Sequence, residues 1–292
     1  MDISIVIINF RTPELTKACV CSVGNVFKNS IYTYEIILVD NYSNDGHFVE
    51  LQNLESDTIH VYQTPKNGGF GYGNNFGVAH SCGEYVFFLN SDTVLYPTII
   101  EEMLSYMKSH NKCGALTCYM EDGEKAPLVV THSFENTKTL FLQTIIKPLV
   151  PKFLQRKRAE LYQTKKMEEV IPCDWVSGAA MLMPRNVFEQ VGGWNELFFM
   201  YMEDEELCFR LHKAGYDVGL YPKMGLQHLI GKSGGSAFVA YEQYRSKILY
   251  YRLVNKKDKW IIKKLLFNQA RQYMKHLSKK ERKDVIKRLK EV

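Results

Sequence analysis

The chain has no apolar run near the roughly 20 residues that a membrane-spanning helix needs. It opens on a strand-like run directly after Asp2, not on a basic segment followed by an apolar one, so no secretory leader is expected. Cysteine is scattered: Cys19, Cys21, Cys82, Cys113, Cys118, Cys173 and Cys208 include no Cys-x-x-Cys pair. That spacing speaks against a zinc centre or a disulfide framework and for a reduced, cytosolic setting. The glycine-rich stretch 67–77 lacks the Lys-Ser/Thr of a P-loop and does not follow the first strand as a dinucleotide fingerprint would. What remains is 292 residues, 46% hydrophobic and 24% charged, enough for one large α/β domain or two closely packed halves.

The net charge of +5 is unevenly placed. Residues 255–292 hold 14 Lys and Arg against 4 Asp and Glu, a local +10 that leaves the rest of the chain at −5. From residue 237 the pattern is helical, with Ile262, Leu265, Leu266, Ala270, Tyr273, Met274 and Leu277 on one face and basic residues around them. Such a region either lies on an anionic lipid surface or packs on its own domain with a solvated basic face.

The first part of the chain alternates strand and helix. Ile3–Ile8 and Tyr34–Asp40 are β-branched runs of the kind buried on both faces of a parallel sheet. Thr12-Pro13 opens a helix running to about Phe27, and a helix near His47–Leu54 leads to a strand at Ile59–Gln63. This rhythm implies a doubly wound, mostly parallel sheet with ligands at the strand C-terminal ends. Asp40 ends one strand, where it suits capping of the next turn or binding of a ligand. Asn67–Gly77 reads as a glycine-rich loop entering a helix from Asn75 to about Ser81, a form that either cradles a phosphate or sugar or simply marks a turn. Glu84–Thr93 is a further strand ending in Asn90-Ser91-Asp92, where Asp92 could hold a divalent cation or cap the helix Ile99–His110. A strand at Ala115–Tyr119 and a hairpin turn at Glu121–Gly123 follow. Between Pro127 and Pro172 an apolar stretch (140–151) and a basic one (155–158) suggest a mobile or membrane-facing insertion, or a helical pair packed on the core. The α/β pattern resumes at Asp174–Arg185, continues through a helix near Asn186–Val191, and ends in a short strand, Tyr216–Tyr221, ahead of His228 and a Gly/Ser-rich loop.

The chain is organised around residues 194–210. Here an aromatic run enters four consecutive carboxylates, Glu203-Asp204-Glu205-Glu206, which merge into a helix stopped at Gly215. A helix N-terminus offsets part of that charge. Apolar packing beside carboxylates also raises the pKa of one of them, which suits a general base.

Taken in order, the motifs Ser4–Phe10, Val39–Gly46, Asn67–Gly77, Leu89–Thr93, Trp175–Ala179, Gly192–Glu196 running to Glu203-Asp204, and His228 with Ser233 resemble those of family-2 glycosyltransferases of the GT-A fold. The likeness is to the rhamnosyltransferase-like branch of bacterial surface-polysaccharide synthesis, over about Ile3 to Arg252. It implies a Rossmann-like mostly parallel sheet flanked by helices in a catalytic domain over 1–236. Residues 1–95 would form the nucleotide-sugar half, 96–236 the acceptor half with its insertion at 127–172, and 237–292 a basic helical extension. By the same resemblance Asp40 would hydrogen-bond the nucleotide base with Asn9 beside it, and Asn67, Gly69 and Asn75 would line the ribose and donor sugar. Asp92 and His228 would bind a divalent metal, Mg or Mn, with Asn90 opening that motif. Asp204 would be the general base with Glu203 beside it, and Trp175, Gly178 and Trp194 would border the sugars. The activity implied is single displacement with inversion, from a thymidine- or uridine-diphosphate sugar to a glycan or lipid-linked glycan. The implied setting is the cytoplasmic face of the membrane, met through the basic helices, with no nucleic acid expected and a homodimer left open.

Two positions depart from the pattern: Asn90 stands where the fold's common metal motif has Asp, as it often does in this branch, and Asn195 stands where the family usually has Asp. Two other classes compete. A sugar nucleotidyltransferase should show a basic glycine-rich loop after the first strand, which residues 9–13 lack. A non-catalytic membrane- or nucleic-acid-binding adaptor leaves Asp92 and the acidic cluster without a purpose.

Overall fold

A computed structural model of the chain describes residues 1–146, 169–229, 236–254 and 259–292. Its first third runs β1 (Ile3–Asn9), α1 (Pro13–Phe27), β2 (Tyr34–Asp40), α2 (Phe48–Gln52), β3 (Ile59–Gln63), α3 (Phe70–Ala79) and β4 (Tyr85–Asn90). The apolar runs of β1, β2 and β4 are buried almost end to end, as helix cover on both faces of a sheet requires. Strands β3, β2, β1 and β4 pair parallel, with Asn9 level with Asp40 and Ile8 level with Asn90. The polar ends of three strands thus form one edge.

The chain continues through β5 (Thr93–Leu95), α4 (Ile99–Ser109), β6 (Cys113–Glu121), β7 (Thr131–His132), α5 (Thr137–Phe141) and a π-helical turn at Leu142–Ile146. Then follow β8 (Ile171–Pro172), β9 (Trp175–Val176), β10 (Ala180–Pro184), α6 (Arg185–Gln190), α7 (Glu203–Lys213) and β11 (Asp217–His228). The large sheet has the order β3-β2-β1-β4-β10-β6-β11-β5, with β8 on β11. Strand β10 runs antiparallel to its neighbours β4 and β6, and β11 returns parallel to β6.

Two expectations need correction. The glycine-rich stretch is not a loop up to Asn75: the helix already begins at Phe70. Its glycines serve close packing, since a Cβ at Gly77 would meet Val6 at 2.5 Å and one at Gly71 would meet Trp194 at 3.0 Å. The last strand is not short either. It runs 12 residues, Asp217–His228, past Pro222 and Gly225, with register shifts against β6 around Tyr221 and Met224. Its far end pairs antiparallel with β5 and sets His228 opposite Thr93.

The C-terminal region comprises α8 (Ala237–Val254), α9 (Lys259–Tyr273) and α10 (Lys279–Glu291). Their apolar faces form a core that also contains Leu140, Phe198 and Met202, so these helices pack on the segment leading into α7. Of the described part of the apolar stretch near 140, Leu140 is buried in this core while Phe141, Leu142 and Ile145 stay exposed; its remainder, the basic run 155–158 and Ser233 lie outside the described residues. Among the described residues no helix is long and apolar enough to cross a membrane.

Candidate active site

At the ends of β1 and β2, Asn9 and Asp40 are buried and bonded to each other, Asn9 Nδ2 donating to Asp40 Oδ1 at 2.7 Å. Asp40 also accepts from the Ser43 hydroxyl (2.5 Å), the Ser43 amide (3.1 Å) and the Gln63 amide (2.9 Å). Asn9 Oδ1 takes the Thr16 hydroxyl at 2.8 Å and so, in place of the Thr12 side chain, helps start α1. Four protein donors leave the Asp40 carboxylate no open lone pair. These bonds shape the 41–43 turn, where Tyr42 is left exposed with φ at 56°.

The adjacent Asn41 ties this turn to the start of α3. Its amide donates to the Gly69 carbonyl (2.9 Å) and to Asn67 Oδ1 (3.2 Å), and Asn67 Oδ1 accepts the Gly69 amide at 3.0 Å. Gly69 has φ of 92°, and a Cβ there would stand 2.1 Å from the Phe199 carbonyl oxygen, which accepts the Phe70 amide at 2.9 Å. The glycine thus lets two motifs 130 residues apart in sequence touch backbone to backbone. Asn75 extends the contact: it accepts the Trp194 amide (2.9 Å) and donates to the Trp194 carbonyl (2.9 Å) and to Glu196 (2.8 Å).

The four carboxylates meet four different environments. Tyr201 and Met202, immediately before α7, both hold left-handed φ (68° and 69°), a strain found where the surroundings over-determine a functional segment. Part of that surrounding is α8, whose Ser246 hydroxyl donates to the Met200 carbonyl at 2.8 Å. Glu203 is buried and its Oε2 has no hydrogen-bond partner. Burial, and then the Asp204 charge, push its carboxyl well above the ordinary range. Asp204 is half-buried, and its oxygens accept the amides of Gly178 (3.3 Å) and Glu205 (2.9 Å). Burial raises it too, while those amides pull it down. Both carboxyls of the pair are thus shifted upward, Glu203 by burial and the neighbouring charge and Asp204 by burial against the pull of its two amides. Glu205 is buried against the Glu135 amide at 2.6 Å and is raised by burial to about 7. Glu206 pairs with Arg210 at 2.8 Å, and the same guanidinium bonds the carbonyls of Gly193 (2.7 Å) and Val191.

Gly178 links this carboxylate to the third cluster. It lies two residues before β10, and the next carbonyl, that of Ala179, accepts the Asn90 amide at 2.9 Å. Beyond Asn90, Asp92 Oδ1 lies 3.0 Å from His228 Nε2, which lies 3.4 Å from the Asn90 side-chain nitrogen. Rotating that amide would present its oxygen instead. The two side chains keep 20% and 16% of their surface, so both stay accessible at the strand ends. One carboxylate and one imidazole suit a divalent cation whose other positions are filled by phosphate oxygens. Among the described residues no group of three His, Cys, Asp or Glu could hold a metal alone.

Residues 4–190 match the family model described as Glycosyl transferase family 2. The chain belongs to that family. Over 223 residues it is 29% identical to the Low-salt glycan biosynthesis hexosyltransferase Agl10 of Haloferax volcanii, spanning 75% of this chain and 64% of Agl10, just under two thirds of that relative's length. Over 237 residues it is 25% identical to the N-acetylglucosaminyl-diphospho-decaprenol L-rhamnosyltransferase of Mycobacterium tuberculosis, covering 77% and 76% of the two chains. The Rhamnosyltransferase WbbL of Escherichia coli is 26% identical over 200 residues, 65% of this chain and 71% of its own. Among solved structures, GalNAc-T7 with UDP, GalNAc and Mn2+ superposes with a TM-score of 0.67 at 15% identity, over 98% of this chain and 54% of that one. S. aureus TarS 1-349 gives 0.56 at 13% identity, over 96% and 73%. At such identities the likeness is one of fold, and that fold is GT-A.

For this family-2 glycosyltransferase the adaptor and nucleotidyltransferase readings fall away. The structure brings Asp204, Gly178, Asn90, Asp92 and His228 into one connected edge, and Asn9, Asp40, Asn67 and Gly69 into the adjoining one. Trp194 is corrected: it does not border a sugar but is 2% exposed, its ring 5.1–5.2 Å from Phe88 and Phe70, with Nε1 buried and unpartnered. Gly178 is the small residue that admits this indole, since a Cβ there would lie 3.3 Å from it. Trp175 is half-buried, stacked on His132 at 4.1 Å with Nε1 on the Ser133 carbonyl. Sequence reading gave no role to Asn41, Ser43 and Phe199, although they stand within its motifs, or to Ser246; their work is done by contacts to residues distant in sequence or across a tight turn.

Proposed function

We propose that the chain is an inverting glycosyltransferase that moves a sugar, rhamnose or a related hexose, from a thymidine- or uridine-diphosphate donor to a lipid-linked cell-surface glycan. The observation that carries this reading is the place of Asp204 at the opening of α7, half-buried, with its carboxylate held by the amides of Gly178 at 3.3 Å and Glu205 at 2.9 Å, beside the buried Glu203 whose Oε2 has no partner. A charged carboxylate whose pKa is raised by burial accepts the proton of an incoming hydroxyl as that hydroxyl attacks the anomeric carbon. With one such base on the acceptor side and no second carboxylate assigned as nucleophile, a single displacement inverts the anomeric centre.

On the leaving-group side, Asp92 and His228 would hold a divalent cation, Mg or Mn, with Asn90 beside them. When bound, such a cation offsets the charge that grows on the departing diphosphate. The chain's own part is to present these donors at the ends of β4 and β11, one peptide link from Gly178. The turn at 41–43, braced by Asp40 and Asn9, is the natural seat for the nucleoside. The relatives named for diphospho-decaprenol acceptors favour a lipid-linked acceptor, and residues 255–292, at +10, favour a cytoplasmic, peripheral position on an anionic membrane.

The test is release of nucleoside diphosphate by purified protein from a panel of thymidine- and uridine-diphosphate sugars, with Mg, Mn or chelator. Release should require metal. Asp204→Asn should keep donor affinity and lose on the order of 10²–10⁴ in turnover. A protein that binds none of these donors would overturn the reading.

A further inference from the structure

The C-terminal helices α9 and α10 line an open cavity of about 480 Å³ that none of the sequence motifs contributes to. Its wall carries six cations, Arg271 from α9 and Lys279, Arg282, Lys283, Lys287 and Lys290 from α10, and among the described residues no carboxylate. Its apolar lining is the buried Met274 and the half-buried Ile286. On α10 the spacing 279, 283, 286, 287 and 290 keeps these side chains on one face, while Val285 and Leu289 are buried in the C-terminal core. None of the six cations is ion-paired among the described residues, and Glu281 on the same helix is used by the Ser278 capping box. Asp284 and Glu291 also stand on α10 but do not line the cavity, so its six like charges outnumber the nearby carboxylates and repel one another, and an arrangement of this kind is stabilised when an anion joins it.

We propose that this cavity is a binding site for the phosphate of an anionic phospholipid and seats the enzyme on a bilayer surface. This rests on the membrane reading above and gives it a location. Three further observations select lipid over a soluble polyanion or nucleic acid. Trp260, 73% exposed, lies 11 residues before Arg271 on α9, and Lys264 lies between them with its ammonium 5.1 Å from the Trp260 ring. At about 100° per residue these three fall on one stripe, so an interfacial aromatic and two cations share the side of α9 that leads to the cavity. The apolar lining offers contact for the first carbons below a headgroup. Among the described residues no aromatic ring on which a base could stack lines the cavity.

The test is flotation of the full chain with vesicles of phosphatidylcholine alone and of phosphatidylcholine with phosphatidylglycerol. Binding should need the anionic lipid and weaken with salt. Lys283→Gln with Lys287→Gln should lower partitioning about 25-fold, about fivefold for each lysine. The pair Lys275→Gln with Lys280→Gln removes the same charge from exposed positions outside the cavity and should lower it less than about threefold. All variants should melt as wild type does and release nucleoside diphosphate at the wild-type rate. Tryptophan emission should shift to the blue on anionic vesicles, and Trp260→Phe should abolish the shift.

Equal losses in the two lysine pairs would overturn the cavity and leave the membrane reading standing. Failure of the wild type to float would overturn both. Neither outcome touches sugar transfer, which the release assay reads separately. Emission unmoved by vesicles would overturn the seating on the Trp260 stripe. RNA binding stronger than vesicle binding, and lost in the same cavity pair, would overturn the lipid assignment in favour of nucleic acid.

Discussion

Replacing Glu205 by glutamine tests the electrostatics of the catalytic edge without any substrate. Glu205 is 1% exposed, accepts the Glu135 amide at 2.6 Å, and is lifted by burial from 4.5 to about 7. The charges facing it come from Asp204 on its own helix and Glu135 before α5, with the Tyr250 hydroxyl from α8 beside it. Because the folded value lies above the unfolded one, the folded protein holds this proton more tightly. The associated stability is complete below about pH 4.5 and is lost as the pH rises through about 7. At 1.36 kcal/mol for each pH unit, the loss between about pH 5 and pH 8 comes to roughly 2–3 kcal/mol. Glutamine keeps an oxygen for the Glu135 amide and cannot ionise. Glu205→Gln should therefore gain on the wild type by about that amount across the interval, a relative rise of several degrees in Tm. Scanning both proteins across the range isolates Glu205, since every other group is shared. Parallel curves would refute the argument and mean that Glu205 is paired or hydrated when the protein is folded.

Gly69→Ala places a methyl group against the Phe199 carbonyl, so the loop must retreat and the Phe70–Phe199 bond must break. Donor release should fall at least tenfold in kcat/KM, about 1.4 kcal/mol or more, with Tm also lowered; a variant with wild-type kinetics would show that this contact is not needed. Arg210→Lys loses the fork that joins Glu206 to the carbonyls of Val191 and Gly193, and leaves a buried carboxylate poorly matched. Urea unfolding should show destabilisation of about 2–4 kcal/mol, and a loss below about 0.5 kcal/mol would mean that the Gly192-Gly193 turn holds its shape unaided.

Much of the candidate site was legible because it is made of strand ends. The buried runs 3–8 and 34–40 could form only a parallel pair under helices, and that pairing brings Asn9 level with Asp40. The acidic run 203–206 was legible as a helix start but not in its distribution, since which carboxylate keeps a proton depends on partners at positions 135, 178 and 210. His228 was found as a motif while its strand was not, because a proline and a glycine that punctuate most strands here mark bulges instead. The glycines of 67–77 look alike in sequence and do different work, Gly69 through its positive φ and Gly77 through contact with Val6. Trp194 was misplaced for a related reason: an aromatic beside a catalytic motif reads as a sugar platform unless the small residues that admit it to the core, Gly71 and Gly178, are known to face it.

The boundary suggested at residue 236 has a practical meaning once the Ser246–Met200 bond is taken into account. A fragment stopped there would keep every motif of the family and still lose the partner side of the core containing Phe198 and Met202. The left-handed pair Tyr201-Met202 would then be free to relax toward ordinary backbone angles, turning the first residues of α7 as it did so. In such a truncated enzyme donor binding would outlast transfer, and exchanging C-terminal helices between relatives would retune the reaction itself.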